Sequence, residues 1–342
     1  DAIDYEGFKA RQAAALAEGR YIGIGISNGQ KGTGRGPFES GGVRIERSGK
    51  VRVFTGALAM GQGLKTMLAQ VTAEQLGVAI DEIEVVAGDT GTIALGLGGF
   101  ASRQTVTAGS SVHVAAVEVR EKVLRLAAHM LEAAVEDLEL VDGQVRVVGS
   151  DVSIPIKAVS EAAAGAPGYS MPDGIDPGLE ANANFKPSGL TYSNGAHAVE
   201  VEVDPETGEV KFLRYVVVTD SGTLINPMIV DGQVTGGVVH GIGNALFEWM
   251  GYDASGQPLT TNFGEYLLPT ATELINLDLV YRSSPSQLNP LGVKGVGETG
   301  TVPTAAAVVA AVEDALSPFG ARISDYPVTP AKIVELARAG RA

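Results

Sequence analysis

The chain has 342 residues, a formal net charge of −15 and no basic run, which argues against nucleic acid as a partner. It has no cysteine, so disulfides, cysteine nucleophiles and thiolate-ligated iron–sulfur clusters are excluded from the chain itself. Its four scattered histidines lack the paired spacing of an all-protein zinc site. Glycines number 45 and hydrophobic residues make up 45%, as in one large or two ordinary globular domains whose backbone often comes close to something. No apolar run reaches membrane-spanning length and no signal peptide is recognised, so a bacterial cytoplasmic location is expected. The first residue is Asp1 rather than Met, which leaves processing or truncation open.

Residues 1–19 are Ala-rich and predict a helix stopped by Gly19. Residues 21–27 predict a short strand, followed by a glycine-rich segment over 29–42. Residues 43–47 and 51–54 alternate around Ser48-Gly49-Lys50, a hairpin signal. A helix is expected over 64–76, closed by Gly77, then a strand over 83–86 and a glycine-laden loop over 88–99. Residues 108–134 contain a long amphipathic helix. A hairpin turns at Asp142-Gly143, and 155–164 predict a short helix. Residues 166–195 are rich in Pro, Gly and Asn and predict a linker. Beyond it, 198–203 and 210–218 flank another turn, and an apolar helix runs over about 230–247. Hairpin, loop and helix thus occur twice. The expectation is an α+β protein with a first half over 1–165, the linker, and a second half over 196–342.

Four loops place glycines beside hydrogen-bonding side chains at the mouths of helices. They are Gly32 to Pro37, Met60-Gly61-Gln62-Gly63, Gly98 to Thr105, and Gly292 to Gly300. Exposed N–H groups at helix starts suit phosphate or other anions. Arg103, with Ser102, Gln104 and Thr105 around it, suits a phosphate or pyrophosphate bound bidentately; the alternative is a surface ion pair. The last loop puts Glu298 among four glycines ahead of an apolar run over 302–316. There it is either a helix-start acid or a carboxylate within reach of a bulky ligand. Residues 295–300 also fit G-x-G-x-x-G. No buried strand precedes them and few residues follow the helix, which argues against a nicotinamide or flavin dinucleotide site.

Taken together, "GTGRGPFESGGVRI", "MGQGLKTMLAQ", "GDT…FASRQTVTAGSSV", "DSGTLINPMIVDGQVTGGVVHGIGNALFE" and "NPLGVKGVGETG" resemble one family in order. The chain is similar, over most of its length, to the second half of the molybdenum-binding large subunit of the xanthine dehydrogenase/aldehyde oxidoreductase family. The resemblance implies the family's molybdopterin-binding α+β fold and a molybdenum cofactor held by a pterin dithiolene, with no protein ligand to the metal. In bacteria the pterin usually carries a cytosine dinucleotide. It implies that Glu298 is the general base, taking the proton from a molybdenum-bound hydroxyl as hydride passes to a Mo=S group. The substrate would be an N-heteroaromatic or an aldehyde, with water as the oxygen source. Gly61, Gln62 and Gly63 would contact the pterin. Ala101, Ser102, Arg103, Gln104 and Thr105 would hold its dinucleotide phosphates, and Ala108, Gly109, Ser110 and Ser111 would pass near the metal. Gln233, Lys294, Gly295, Val296 and Gly297 would complete the cradle.

Two positions depart from the family. Ser221 stands where Cys is frequent, a change expected to concern local packing. His240 stands where Gln is frequent, either as a packing histidine or as a donor to the cofactor. The family's first-half "GGxFG" loop is absent, and so are cysteines for electron transfer. The resemblance therefore implies a split enzyme, partnered by the other molybdenum-binding half, a [2Fe-2S] subunit and an FAD subunit. The alternatives are a non-catalytic maturation or dinucleotide-binding module, and a same-fold carbon monoxide dehydrogenase or reductase.

Overall fold

The computed structural model describes residues 2–165, 167–168 and 170–340. It begins with α1 (Tyr5–Ala17), β1 (Tyr21–Thr33), β2 (Glu39–Ile45), β3 (Val51–Thr55), α2 (Leu64–Leu76) and β4 (Ile83–Ala87). A π-helical turn at Thr105–Gly109 runs directly into α3 (Ser110–Leu131). Next come β5 (Leu138–Val141), β6 (Gln144–Val147), β7 (Ser153–Pro155), α4 (Ile156–Ala163), β8 (Leu179–Phe185) and β9 (Thr191–Val203). The chain continues through β10 (Val210–Asp220), α5 (Pro227–Leu246), β11 (Asp278–Arg282), α6 (Thr304–Ala315) and α7 (Pro330–Ala339). None of these helices is long and apolar enough to cross a membrane.

Two four-stranded sheets carry the architecture, in the orders β4-β3-β2-β8 and β11-β10-β9-β1, with β5-β6-β7 as a small third sheet. The two large sheets repeat one plan. In the first, the antiparallel hairpin β2-β3 is followed by α2, which crosses over to β4, parallel to β3. In the second, the hairpin β9-β10 is followed by α5, which crosses over to β11, parallel to β10. A second helix then packs with each: α3 buries Val112, Ala115, Ala116, Val119, Val123 and Leu126, and α6 buries Ala307, Val308, Ala311, Val312 and Ala315. Both sets follow the three-and-four spacing that builds one apolar helix face. Each unit has its own core.

The edge strands join the two halves. β1, from the N-terminal half, pairs along its whole length with β9 and closes the second sheet. β8 pairs with β2 and closes the first. The segment 166–195, expected to be a linker, holds β8 and the start of β9. Residues 166 and 169 of it lie outside the described residues. The first strand of the chain thus ties the two units together. In β9, buried and exposed residues alternate from Thr191 to Ala198, the pattern of a half-buried strand. Its Gly and Asn residues masked that alternation.

Candidate functional site

The repeat has a geometric consequence. A parallel pair of strands with a helix crossover leaves its strand-to-helix loops at the carboxyl ends of the strands, where open α/β sheets bind ligands. Here four such loops face one another. β3–α2 and β4–α3 come from one unit, β10–α5 and β11–α6 from the other. Between them lies a cavity of about 300 Å³. Apolar side chains including Met60, Leu64, Met67, Phe100, Ile225 and Ile229 form part of its wall. Gln62, Ser102, Gln104, Ser221, Gln233 and Glu298 add the polar part.

Most of the expected cofactor residues meet here. Gln62, Ala101 to Thr105, Gln233 and Lys294 to Glu298 all line the cavity, with Gly61 and Gly63 flanking Gln62. Gln62 Nε2 donates to Leu58 O at 2.9 Å and to Gln104 Oε1, so the first two loops are stitched side chain to side chain. The second unit is stitched to the first by Asn226. Its Oδ1 accepts from Ile229 N at 3.0 Å, capping α5, and its Nδ2 donates to Gln70 Oε1 of α2 at 2.9 Å.

Ala101 and Ser102 have φ of 47° and 50°, two consecutive non-glycine residues in the left-handed region. Such backbone costs of order 1–3 kcal/mol per residue and persists only where its surroundings impose it. Arg103 supplies that restraint. Its side chain is fully buried, and four of its five N–H donors meet protein acceptors. Nε donates to Arg35 O at 2.5 Å, Nη1 to Glu39 Oε2 at 2.5 Å and Gly98 O at 2.9 Å, and Nη2 to Phe38 O at 2.6 Å. Glu39, also fully buried, further accepts from Ser40 N and Leu97 N. The expectation of a guanidinium on phosphate is therefore corrected. Arg103 pins the loop from behind, and only the backbone of the strained turn is left for a ligand.

The strained turn delivers Ser102 to Glu298. Ser102 Oγ donates to Glu298 Oε2 at 2.8 Å. Lys31 Nζ lies 3.3 Å from the same oxygen. Among the described residues Oε1 has no partner, and the side chain is 43% exposed. The approach of the two loops requires Gly295, because a Cβ there would sit 2.0 Å from Ser102 O. Gly295 N donates to Thr33 Oγ1 at 2.9 Å, fixing the loop on β1.

Lys294 lines the cavity but its ammonium is engaged, 2.7 Å from Asp220 Oδ2 and 2.8 Å from Ser284 Oγ. Burial alone would raise the Asp220 carboxyl. Hydrogen bonds from Lys294, Ser284 and the N–H groups of Gly222 and Ser284 outweigh it and hold the group down at about 2. Ser221 is the reverse case. It is 2% exposed and lines the cavity, and among the described residues its hydroxyl has no partner. The change expected to concern local packing thus leaves a buried polar atom in a residue of the cavity wall.

Ala108, Gly109, Ser110 and Ser111 lie one layer behind the wall and are buried. The Ser110 hydroxyl donates to Val106 O, and the Ser111 hydroxyl to Glu39 O and Thr107 O. His240 is exposed on α5, two turns beyond Gln233, and does not line the cavity. Behind the Glu298 loop, His197 Nδ1 lies 3.1 Å from both Tyr215 Oη and Thr304 Oγ1, at the first turn of α6. Burial pushes the His197 imidazole down to about 4. Sequence reasoning missed Lys31 and Glu39. A lysine three residues into a glycine-rich run carries no local signal of its partner 267 positions away, as its separation from Glu298 requires.

Residues 1–275 match the family described as molybdopterin cofactor-binding domain. The chain belongs to that family. The gamma subunit of a 6-hydroxypseudooxynicotine dehydrogenase complex from Paenarthrobacter nicotinovorans is 42% identical over 318 residues, covering 93% of this chain and 40% of that protein. A carbon monoxide dehydrogenase large chain from Hydrogenophaga pseudoflava is 35% identical over 350 residues, covering 97% of this chain and 43% of that one. The crystal structure of quinoline 2-oxidoreductase from Pseudomonas putida 86 matches with a TM-score of 0.91 and 40% identity, over 98% of this chain and 44% of the other. The chain thus spans about two-fifths of the length of these relatives. The site suits the family's cofactor. Its apolar walls can take a pterin, the orphaned Ser221 hydroxyl needs a partner, and the α2 and α5 N-termini can face phosphate.

Proposed function

We propose that the cavity holds a molybdenum–pterin cofactor in its cytosine dinucleotide form, and that Glu298 is the general base of a hydroxylation at an electron-poor carbon. The substrate class is an N-heteroaromatic or an aldehyde, with water supplying the oxygen. When bound, the group supplies the two-electron acceptor and the oxygen to be transferred. The chain supplies the rest. Ser102 and Lys31 hold one Glu298 oxygen, so the other is free to accept the proton that must leave the attacking group. Gln233 offers its amide to the pterin, Gln62 and Gln104 brace the wall beside it, and the Ala101–Ser102 turn and Ser221 offer donors to its tail. Met60, Met67 and Phe100 give part of the wall an apolar face.

The observation that carries this reading is the free Oε1 of a carboxylate placed at the cavity wall by two unrelated loops. A carrier or maturation module needs the cradle but not that carboxylate. The chain spans about two-fifths of its relatives' length, which supports an assembly with the remaining molybdenum-binding half, a [2Fe-2S] subunit and an FAD subunit. The test is purification of the native complex, followed by metal analysis and acid release of nucleotide. About one molybdenum and one cytidine nucleotide per chain are expected, with turnover on an N-heteroaromatic or an aldehyde. Absence of molybdenum would overturn the cofactor assignment. Turnover on carbon monoxide alone would overturn the hydroxylase assignment.

A further inference from the structure

We propose that Lys31 positions Glu298, and that one face of the edge strand β1 is the template on which the catalytic loop is set. The proposal rests on the Glu298 reading above. Residues two apart on a strand share a face. On β1 the residues Gly29, Lys31 and Thr33 form such a set, and each meets a different point of the loop. Thr33 Oγ1 accepts from Gly295 N at 2.9 Å. Lys31 Nζ lies 3.3 Å from Glu298 Oε2. At Gly29 a Cβ would sit 2.7 Å from Val302 Cγ1, so the loop packs closely on the bare backbone there. The loop is thus held at its start, at the carboxylate and just ahead of α6. The neighbouring strand adds a fourth point, where Thr299 Oγ1 donates to Ser193 Oγ at 3.2 Å, and Ser193 is the cross-strand partner of Lys31.

Both contacts of the carboxylate fall on Oε2. Ser102 alone would let the group pivot about that oxygen. A second anchor arriving from β1 fixes Oε2 from another direction, and with the side chain tethered at its own backbone this narrows the positions open to Oε1. Lys31 does not line the cavity. It acts through Glu298 and is a positioning residue. Two other cations of the site are paired elsewhere, Lys294 with Asp220 and Arg103 with Glu39. Lys31 is 25% and Glu298 43% exposed, so the pair adds little to stability. Its loss should register in turnover rather than in melting.

The experiment compares Lys31→Met, Lys31→Arg and Glu298→Gln in the purified complex. Lys31→Met should lower kcat about 10- to 100-fold, the range for a reacting group displaced by about 1 Å. KM should stay within about threefold, and Tm and molybdenum content should not change. Lys31→Arg should restore kcat to within about fivefold. A crystal structure of the Lys31→Met complex should show the Glu298 carboxylate rotated or split over two positions. Wild-type kcat in Lys31→Met, or a carboxylate unmoved in that structure, overturns the proposal. If the carboxylate moves but Glu298→Gln retains full turnover, the positioning stands and the base assignment fails.

Discussion

Arg103→Met is the perturbation that best separates a ligand contact from a structural pin. In the wild type the guanidinium satisfies Glu39 and three backbone carbonyls, all in a fully buried setting. Removing one partner of a buried pair leaves the other charge uncompensated and costs ~3–5 kcal/mol. At about 2.1 cal/mol/K per residue, a chain of this length has an unfolding entropy of about 0.7 kcal/mol/K, so Tm should fall by about 4–7 °C. Glu39→Gln in the same molecule removes the stranded charge and should restore about half of the loss. Thermal unfolding followed by circular dichroism reads both variants, and molybdenum analysis runs alongside. The loop carrying Ala101 and Ser102 should loosen, so cofactor content should fall together with Tm. Loss of cofactor with Tm unchanged would refute the reasoning and return the guanidinium to the ligand.

Two further outcomes follow from the same geometry. Ser221→Ala removes a buried hydroxyl that lacks a partner, so it should raise the stability of cofactor-free protein by about 1 kcal/mol. The same change should speed cofactor loss from loaded protein, and identical signs in the two assays would contradict the placement. His197 has a folded value of about 4 against 6.5 for an ordinary imidazole, so the unfolded chain binds its proton first as pH falls. Its contribution is fully present above pH 6.5 and is lost towards pH 4, a swing of about 3 kcal/mol at 1.36 kcal/mol per unit. Urea unfolding at several pH values should show that slope, and a His197→Gln variant that keeps the whole slope would rule the residue out.

The elements with a strong period were legible in sequence. The helix expected over 64–76 is α2 with those bounds, and the alternation around residues 43–54 is the β2–β3 hairpin. The crossing of β1 was not legible, because nothing in β1 or β8 records which sheet each edge joins. The site divides along the same line. Glu298, Gln62 and the Ser102 turn lie in local glycine-rich patterns, and the cavity unites them. Arg103 was placed on the right loop with its side chain turned the wrong way. An arginine among Ser, Gln and Thr looks like an anion site, while Glu39, the acid that claims it, lies 64 positions earlier. Ser221 looked like a conservative change from cysteine, and only the structure shows that its buried hydroxyl lacks a partner among the described residues.

The measurement that bears most directly on the account is turnover of the Glu298→Gln complex, normalised to its molybdenum and cytidine nucleotide. Glutamine keeps the size of the side chain and can still accept from Ser102, so the cradle and its contents should be unchanged. What it cannot do is take a proton. Turnover should fall at least about 100-fold, the low end for a general base, with both cofactor contents at the wild-type level. Near-normal turnover from a fully loaded Glu298→Gln complex would contradict the assignment of this carboxylate as the base.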